Sequence, residues 1–388
     1  MSTAATRCLL LPGVLLAVPL PLVFRQEESA PGTRILERCR AELEKVHARS
    51  DFPGGSAALA LPDGTELTFT VGLASARDEV ELSTKDRMLS GSIGKTYVAA
   101  AALHMIQAGE LSLDDKAEKF FAEEWFKRIP NAKDITLRQL LRHQSGIPRY
   151  VLVPGFWKVL LKDKDKVWKP EELLSHVLDK PARFPAGKGW SYADTNFILV
   201  GMILERVSGS EIHDYIQQHF LEPHGLEDTI PSDRRELPGL VQGHVGMFRS
   251  LGVPERVLEE GVFVFNPQFE WCGGGYLNTA LDLARWARIL YSGKAFDGEY
   301  LKTMLDAVPA DGLGAGTKYG IGVIVRKTEA GTLLGHDGVF PGYQSTMGYF
   351  PGLGIAAAVQ INRDGGIRTP MHRMLVTFAT IAKKELGL

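Results

Sequence analysis

The sequence predicts a mixed α/β protein in which strands near the two ends form one discontinuous domain and a helical segment is inserted between them. Three observations lead there. Strand-like runs fall at about 56–71 and again at 319–361, helical patterns fill the chain from Ser92 to about Met304, and a helix-forming stretch lies outside each strand block. With 388 residues the chain has two or three domains' worth of mass and can bury a large core. Its 45% hydrophobic and 23% charged residues are those of an ordered globular protein. The net charge of −2 and the lack of a basic tract interleaved with aromatics argue against nucleic acid as a partner.

The N-terminal segment stands apart. After Arg7 the chain is apolar from Cys8 to Phe24 but broken by Pro12, Pro19 and Pro21, which fits a secretory leader better than a stable span. No clean Ala-x-Ala site follows, so residues 1–30 read as a signal peptide or an uncleaved anchor. Export is expected, with membrane association through this segment as the alternative. Without the leader only Cys39 and Cys272 remain, too few for a disulfide framework. Cys39 lies in a predicted helix, Thr33 to Arg49, as a small buried hydrophobe. No metal-ligand spacing such as H-E-x-x-H or C-x-x-C occurs, so neither metal nor cofactor is expected.

Next come Ser56–Leu61 and Glu66–Val71, flanking Pro62-Asp63-Gly64-Thr65 as a β-hairpin. Helices are predicted at Leu137 to His143, Pro170 to Leu178, Asp194 to Val207 and Ala280 to Tyr291, the last with Thr279 as its N-cap. Strand-like runs follow at Tyr319–Val325, Thr332–His336, Ser345–Phe350 and Ile355–Ile361. A helix from about Pro370 to Leu386 ends the chain. The run Gly312-x-Gly314-x-Gly316 has no strand leading into it and reads as a loop, not a dinucleotide fingerprint.

The chemistry concentrates in Ser90-Gly91-Ser92-Ile93-Gly94-Lys95-Thr96, which leads into an Ala-rich helical run that Gly109 would stop. If Ser92 opens that helix, Lys95 three residues on lies near the same face. Hydroxyl and amine then meet at the positive end of a helix dipole, which favours negative charge on the serine. Gly94-Lys95-Thr96 also ends like a P-loop, but Leu89 stands where the first glycine is required and the preceding residues are charged. A G-x-S-x-G elbow fails because Ser90 replaces its first glycine.

Five stretches in order resemble the serine β-lactamase and penicillin-binding protein superfamily, nearest its class C-like hydrolase and esterase branch. Ser92-Ile93-Gly94-Lys95 matches the S-x-x-K nucleophile motif. Ile135–Pro148 resembles the family's helix and loop before the active-site wall, and Tyr192-Ala193-Asp194 sits where the family has Y-x-N. Gly273–Thr279 with Asp282–Trp286 is another family-typical stretch, and Gly335-His336-Asp337-Gly338 takes the place of the K-T-G strand. The resemblance runs from about Ile35 to the C-terminus. It implies an antiparallel sheet flanked by the terminal helices, with the α/β part at about 31–92 and 310–388 and an all-helical part at about 93–309.

It also implies roles. Ser92 would be the nucleophile, with Lys95 and Tyr192 sharing its proton. The N–H groups of Ser92 and Val339 would form an oxyanion hole, and Asp194, His336 and Gly338 would face substrate. Lys95 can act as a base only if its pKa falls below the usual value of about 10.4. His143 reads as a capping or core histidine.

Two departures matter. Asp194 replaces an amide, so it would either pair with Lys95, raising its pKa, or cap the helix that begins there. His336 replaces a permanently charged lysine and would lose its attraction for a carboxylate above about pH 6.5. That favours an esterase or a D-peptidase or amidase over a β-lactamase. The substrate class is a small-molecule or peptide ester or amide, reached through an acyl-enzyme on Ser92. A non-catalytic binding or regulatory protein on the same fold is the alternative reading.

Overall fold

The computed structural model describes residues 30–388; the leader expected at residues 1–30 lies, but for Ala30, outside the described residues. Among the described residues no helix is long and apolar enough to cross a membrane.

The chain opens with α1 (Pro31–His47), which has proline in its first turn and buries Ile35, Cys39 and Leu43, spaced one helical turn apart. β1 (Gly54–Ala60) and β2 (Glu66–Ser75) form the expected hairpin, in register from Gly54↔Gly72 to Ala60↔Glu66. α2 (Lys95–Gln107) follows a 3₁₀ turn at Gly91–Gly94. Farther on come α3 (Asp194–Ser208) and α4 (Ala280–Tyr291), whose cap Thr279 accepts a hydrogen bond from the Asp282 N–H at 3.3 Å. The chain ends with β3 (Ile324–Thr328), β4 (Gly331–Phe340), β5 (Tyr343–Phe350), β6 (Ile355–Ile361) and α5 (His372–Leu386).

These strands join one nine-stranded antiparallel sheet, in which β6 pairs with β1 from Gly55↔Ile361 to Ala60↔Ala356. The two ends of the sequence are thereby zipped into one sheet. Both faces of its centre are covered, so β1 and β6 are buried at every position. Alternation sorts their side chains between two cores. Ala57, Leu59, Val359 and Ile361 pack with α1 and α5, while Ala58, Ala60, Ala356 and Ala358 join the larger cluster containing Trp286 of α4.

Two expectations need correction. Tyr319–Val325 is not one strand: Lys318–Tyr319 and β3 are separated by a glycine-rich turn. In that turn the Ile321 N–H bonds the Met304 carbonyl at 2.9 Å and the Gly322 N–H bonds Leu141 O at 3.3 Å, so the backbone serves the helical region instead of the sheet. The inserted part is not all-helical either. It carries short strands such as Tyr276–Asn278, which pairs with Met88–Leu89 and with Ile230–Pro231. Strands of two or three residues show no readable period.

Candidate active site

Ser92 lies in the 3₁₀ turn that feeds α2, and Lys95 is the first residue of the helix. The three-residue spacing brings Lys95 Nζ to 3.1 Å from Ser92 Oγ, as its donor. Lys95 is fully buried. A buried ammonium needs its N–H groups satisfied, and the remaining ones go to Asp194 Oδ1 at 2.6 Å and to the Gly273 carbonyl. The neighbouring Gly274 backbone can pack against the start of α2 because residue 94 is glycine: a Cβ there would fall 1.6 Å from the Gly274 oxygen.

Asp194 begins α3 but makes no capping bond. Its second oxygen accepts from Arg149 Nε at 2.5 Å, so one carboxylate sits between two cations. The loop carrying Arg149 is pinned to α3. Thr195 Oγ1 donates to the Pro148 carbonyl at 2.7 Å and accepts from the Tyr150 N–H at 3.0 Å, while Ser145 Oγ donates to Asn196 Oδ1 at 2.6 Å. Burial works against the Asp194 carboxylate, but Arg149 and Lys95 together hold its pKa below the usual range. Burial likewise opposes the Lys95 charge, but Asp194 outweighs it, so the Lys95 pKa is raised. Lys95 is therefore an ammonium at neutral pH.

Tyr192 precedes α3 and packs against His143, with ring centroids 4.2 Å apart and the rings tilted by 44°. Lys95 Nζ lies 5.0 Å from the Tyr192 ring centroid. The hydroxyl is buried with no hydrogen-bond partner among the described residues. Burial raises its pKa and the Lys95 charge only partly offsets this, so the phenol is neutral. His143 is wholly buried and held neutral mainly by desolvation.

β4 passes directly beside the Ser92 turn. A Cβ on Gly338 would lie 1.8 Å from the Ser90 oxygen and 3.2 Å from the Ser92 nitrogen, so only glycine permits this contact. Val339 follows and lines a pocket together with Ser92, Arg149 and Asp194. His336, expected to face substrate, is 1% exposed and has both ring nitrogens engaged. Nε2 is 3.0 Å from the Tyr319 hydroxyl and Nδ1 is 2.6 Å from the Asp337 carbonyl. Desolvation, reinforced by Lys95, lowers its pKa to about 4, so the imidazole is neutral far below pH 6.5. The imidazole forms part of the wall behind Tyr192 and holds its place through Tyr319.

Two pocket residues escaped the sequence reading. Arg149 directly follows the Ile135–Pro148 stretch, but its role depends on Asp194, 45 positions away. Glu270 is 8% exposed, lines the same pocket and accepts the Gly275 N–H at 3.0 Å. It precedes Trp271, whose φ of 37° and ψ of −120° lie outside helical geometry. Backbone strain of this kind costs about 1–3 kcal/mol and concentrates at functional sites. No periodicity marks Glu270; an acid shortly before Gly273-Gly274-Gly275 was the one available signal.

A serine held by a buried lysine three residues on, at the seam between an antiparallel sheet and a helical region, is the arrangement of an S-x-x-K protein. The sequence model described as Beta-lactamase matches residues 40–377, and the chain belongs to that family. It is 26% identical over 344 residues to penicillin-binding protein 4 of Amycolatopsis lactamdurans, covering 84% of each chain. It is 24% identical over 286 residues to penicillin-binding protein 4* of Bacillus subtilis, covering 71% of this chain and 60% of that protein's length. The fold matches that of D-amino acid amidase from Ochrobactrum anthropi SV3 with a TM-score of 0.76 at 22% identity, over 92% of this chain and 99% of the other.

Proposed function

We propose that the chain is a serine hydrolase that cleaves a small ester or amide through an acyl-enzyme on Ser92. The observation that carries this reading is the 3.1 Å contact between Lys95 Nζ and Ser92 Oγ beside the unpartnered Tyr192 hydroxyl. Because Asp194 keeps Lys95 charged, Lys95 is not a free base in the resting enzyme. The competent form is the Lys95–Tyr192 pair short of one proton, and that proton belongs to the pair rather than to either residue. As Ser92 Oγ bonds the substrate carbonyl carbon, its proton passes to the pair and then to the departing alcohol or amine. Water repeats the sequence on the acyl-enzyme and regenerates the serine.

The developing oxyanion would be held by the N–H groups of Ser92 and Val339. The two-residue loop Pro341-Gly342 joins Phe340 to Tyr343, and the alternation of an antiparallel pair then turns the Val339 N–H away from β5. A neutral His336 provides no anchor for a substrate carboxylate. This supports esters and amides such as those of D-amino acids over β-lactams.

The test is a fluorophosphonate label followed by peptide mapping. Modification at Ser92, lost in Ser92→Ala at an unchanged melting temperature, is the expected result. Labelling at another serine would move the nucleophile away from Ser92, and no labelling would leave a binding protein on a hydrolase fold.

A further inference from the structure

Two cations share one carboxylate beside Ser92. Lys95 takes one oxygen of Asp194 and Arg149 the other, which leaves one positive charge without a counterion. The buried Lys95 ammonium has spent its N–H groups on Asp194, the Gly273 carbonyl and Ser92 Oγ. Arg149 has not. Only its Nε is engaged, and Nη1 and Nη2 have no hydrogen-bond partner among the described residues. They are not sealed off either, because the side chain is 33% exposed and lines the pocket that contains Ser92 and Val339. Tyr192 steadies the guanidinium from one side, with 5.3 Å between its carbon and the ring centroid. Glu270 does not supply the counterion: its carboxyl accepts the Gly275 N–H, and burial pushes its pKa up to about 7. The remaining walls are mainly aromatic, with Trp157, Phe248, Phe269 and Phe340. In such surroundings a pair of N–H bonds from guanidinium to carboxylate is both strong and directional.

We infer that Arg149 is a specificity-determining residue whose two free Nη groups bind a carboxylate carried by the acyl part of the substrate while the scissile carbonyl faces Ser92. This rests on the hydrolase reading above and narrows its substrate class to esters and amides of acyl groups that bear a second, ionised carboxyl. The side of the scissile bond follows from the pocket's walls. The leaving group must reach Tyr192 for its proton, and neither Tyr192 nor His336 behind it lines this pocket. The group that enters it is therefore the one that stays on Ser92. Asp194 holds Arg149 charged and oriented through Nε, and the Nη groups remain for substrate. A carboxylate on the leaving-group side gains nothing from Arg149, so the neutral His336 still counts against β-lactams.

Binding to the Ser92→Ala protein tests this without any need for turnover. Succinamate, glutaramate and adipamate are half-amides of dicarboxylic acids, and each has a neutral diamide of the same chain length. Calorimetry at pH 6 compares the members of each pair, since the probe carboxylates are ionised there and Glu270 is mostly protonated. At least one half-amide is expected to bind tenfold or more tightly than its diamide, and adding Arg149→Gln should reduce that ratio to about onefold. Equal affinities in all three pairs with Ser92→Ala alone, or no measurable binding by any half-amide, would overturn the inference without any substitution at Arg149. So would a preference that survives Arg149→Gln in a protein with an intact melting transition. If the preference holds while fluorophosphonate fails to label Ser92 in the unsubstituted protein, the hydrolase reading fails and the carboxylate site stands. Labelling of Ser92 together with equal affinities keeps the hydrolase and removes the carboxylate site.

Discussion

The buried Lys95 ammonium and the Asp194 carboxylate lie 2.6 Å apart, and Arg149 takes the other carboxylate oxygen at 2.5 Å. The family's Y-x-N amide is thus replaced by a charge that locks the lysine protonated. Breaking a buried pair by removing one partner typically costs about 3–5 kcal/mol. Asp194→Asn keeps the shape, so it should fold with a lower melting temperature. Without the carboxylate Lys95 gives up its proton more readily, and the rise of kcat/KM with pH should begin at lower pH. An unshifted profile at full activity would show that the proton leaves without passing through this pair.

Arg149→Gln should move the same limb the other way. With Arg149 gone, Lys95 loses a repelling neighbour and becomes the sole cation on Asp194, so its ammonium is favoured further. The rise of kcat/KM should shift to higher pH. Finding the same direction of shift in Asp194→Asn and Arg149→Gln would contradict the sharing of Asp194 between Lys95 and Arg149.

Gly338→Ala tests the contact between β4 and the nucleophile turn. Its new methyl would meet the Ser90 oxygen at 1.8 Å, so the strand must move away and carry the Val339 N–H with it. Loss of one oxyanion donor costs about 2.7–4 kcal/mol, or roughly 10²–10³ in kcat. Fluorophosphonate reaction with Ser92 should slow by a comparable factor. A variant with nearly normal kcat would remove Val339 from the oxyanion site.

Activated esters should be hydrolysed much faster than a chromogenic cephalosporin, and acidification from pH 8 to 5 should not narrow the gap. The imidazole of His336 titrates at about 4 because it is buried near Lys95, so over this window it carries no charge to attract the cephalosporin carboxylate. A cephalosporin-selective gain in kcat/KM centred near pH 6.5 would mean that the ring is exposed in solution.

The sequence by itself placed the longer helices and strands and the Ser92–Lys95 pair. Helix α4 could be placed at Ala280–Tyr291 from its apolar period and its threonine cap, because both are local properties of the chain. The hairpin at Pro62–Thr65 and the S-x-x-K spacing are local in the same sense: three residues along a helical turn bring Ser92 and Lys95 together whatever surrounds them. The tertiary structure decided their charge states. Whether Asp194 caps α3 or pairs with Lys95 depends on where the Arg149 loop and the Gly273 carbonyl fall, and both are set by long-range contacts through Thr195 and Gly94. His336 could be located in the K-T-G position, but its neutrality comes from burial behind Tyr192 and Tyr319. Glu270 had no periodicity to mark it, only its place shortly before a glycine run. Its place beside Ser92 exists only once the 266–275 turn packs against α2 and α3, since desolvation and Coulomb terms act through space and leave no period in a sequence.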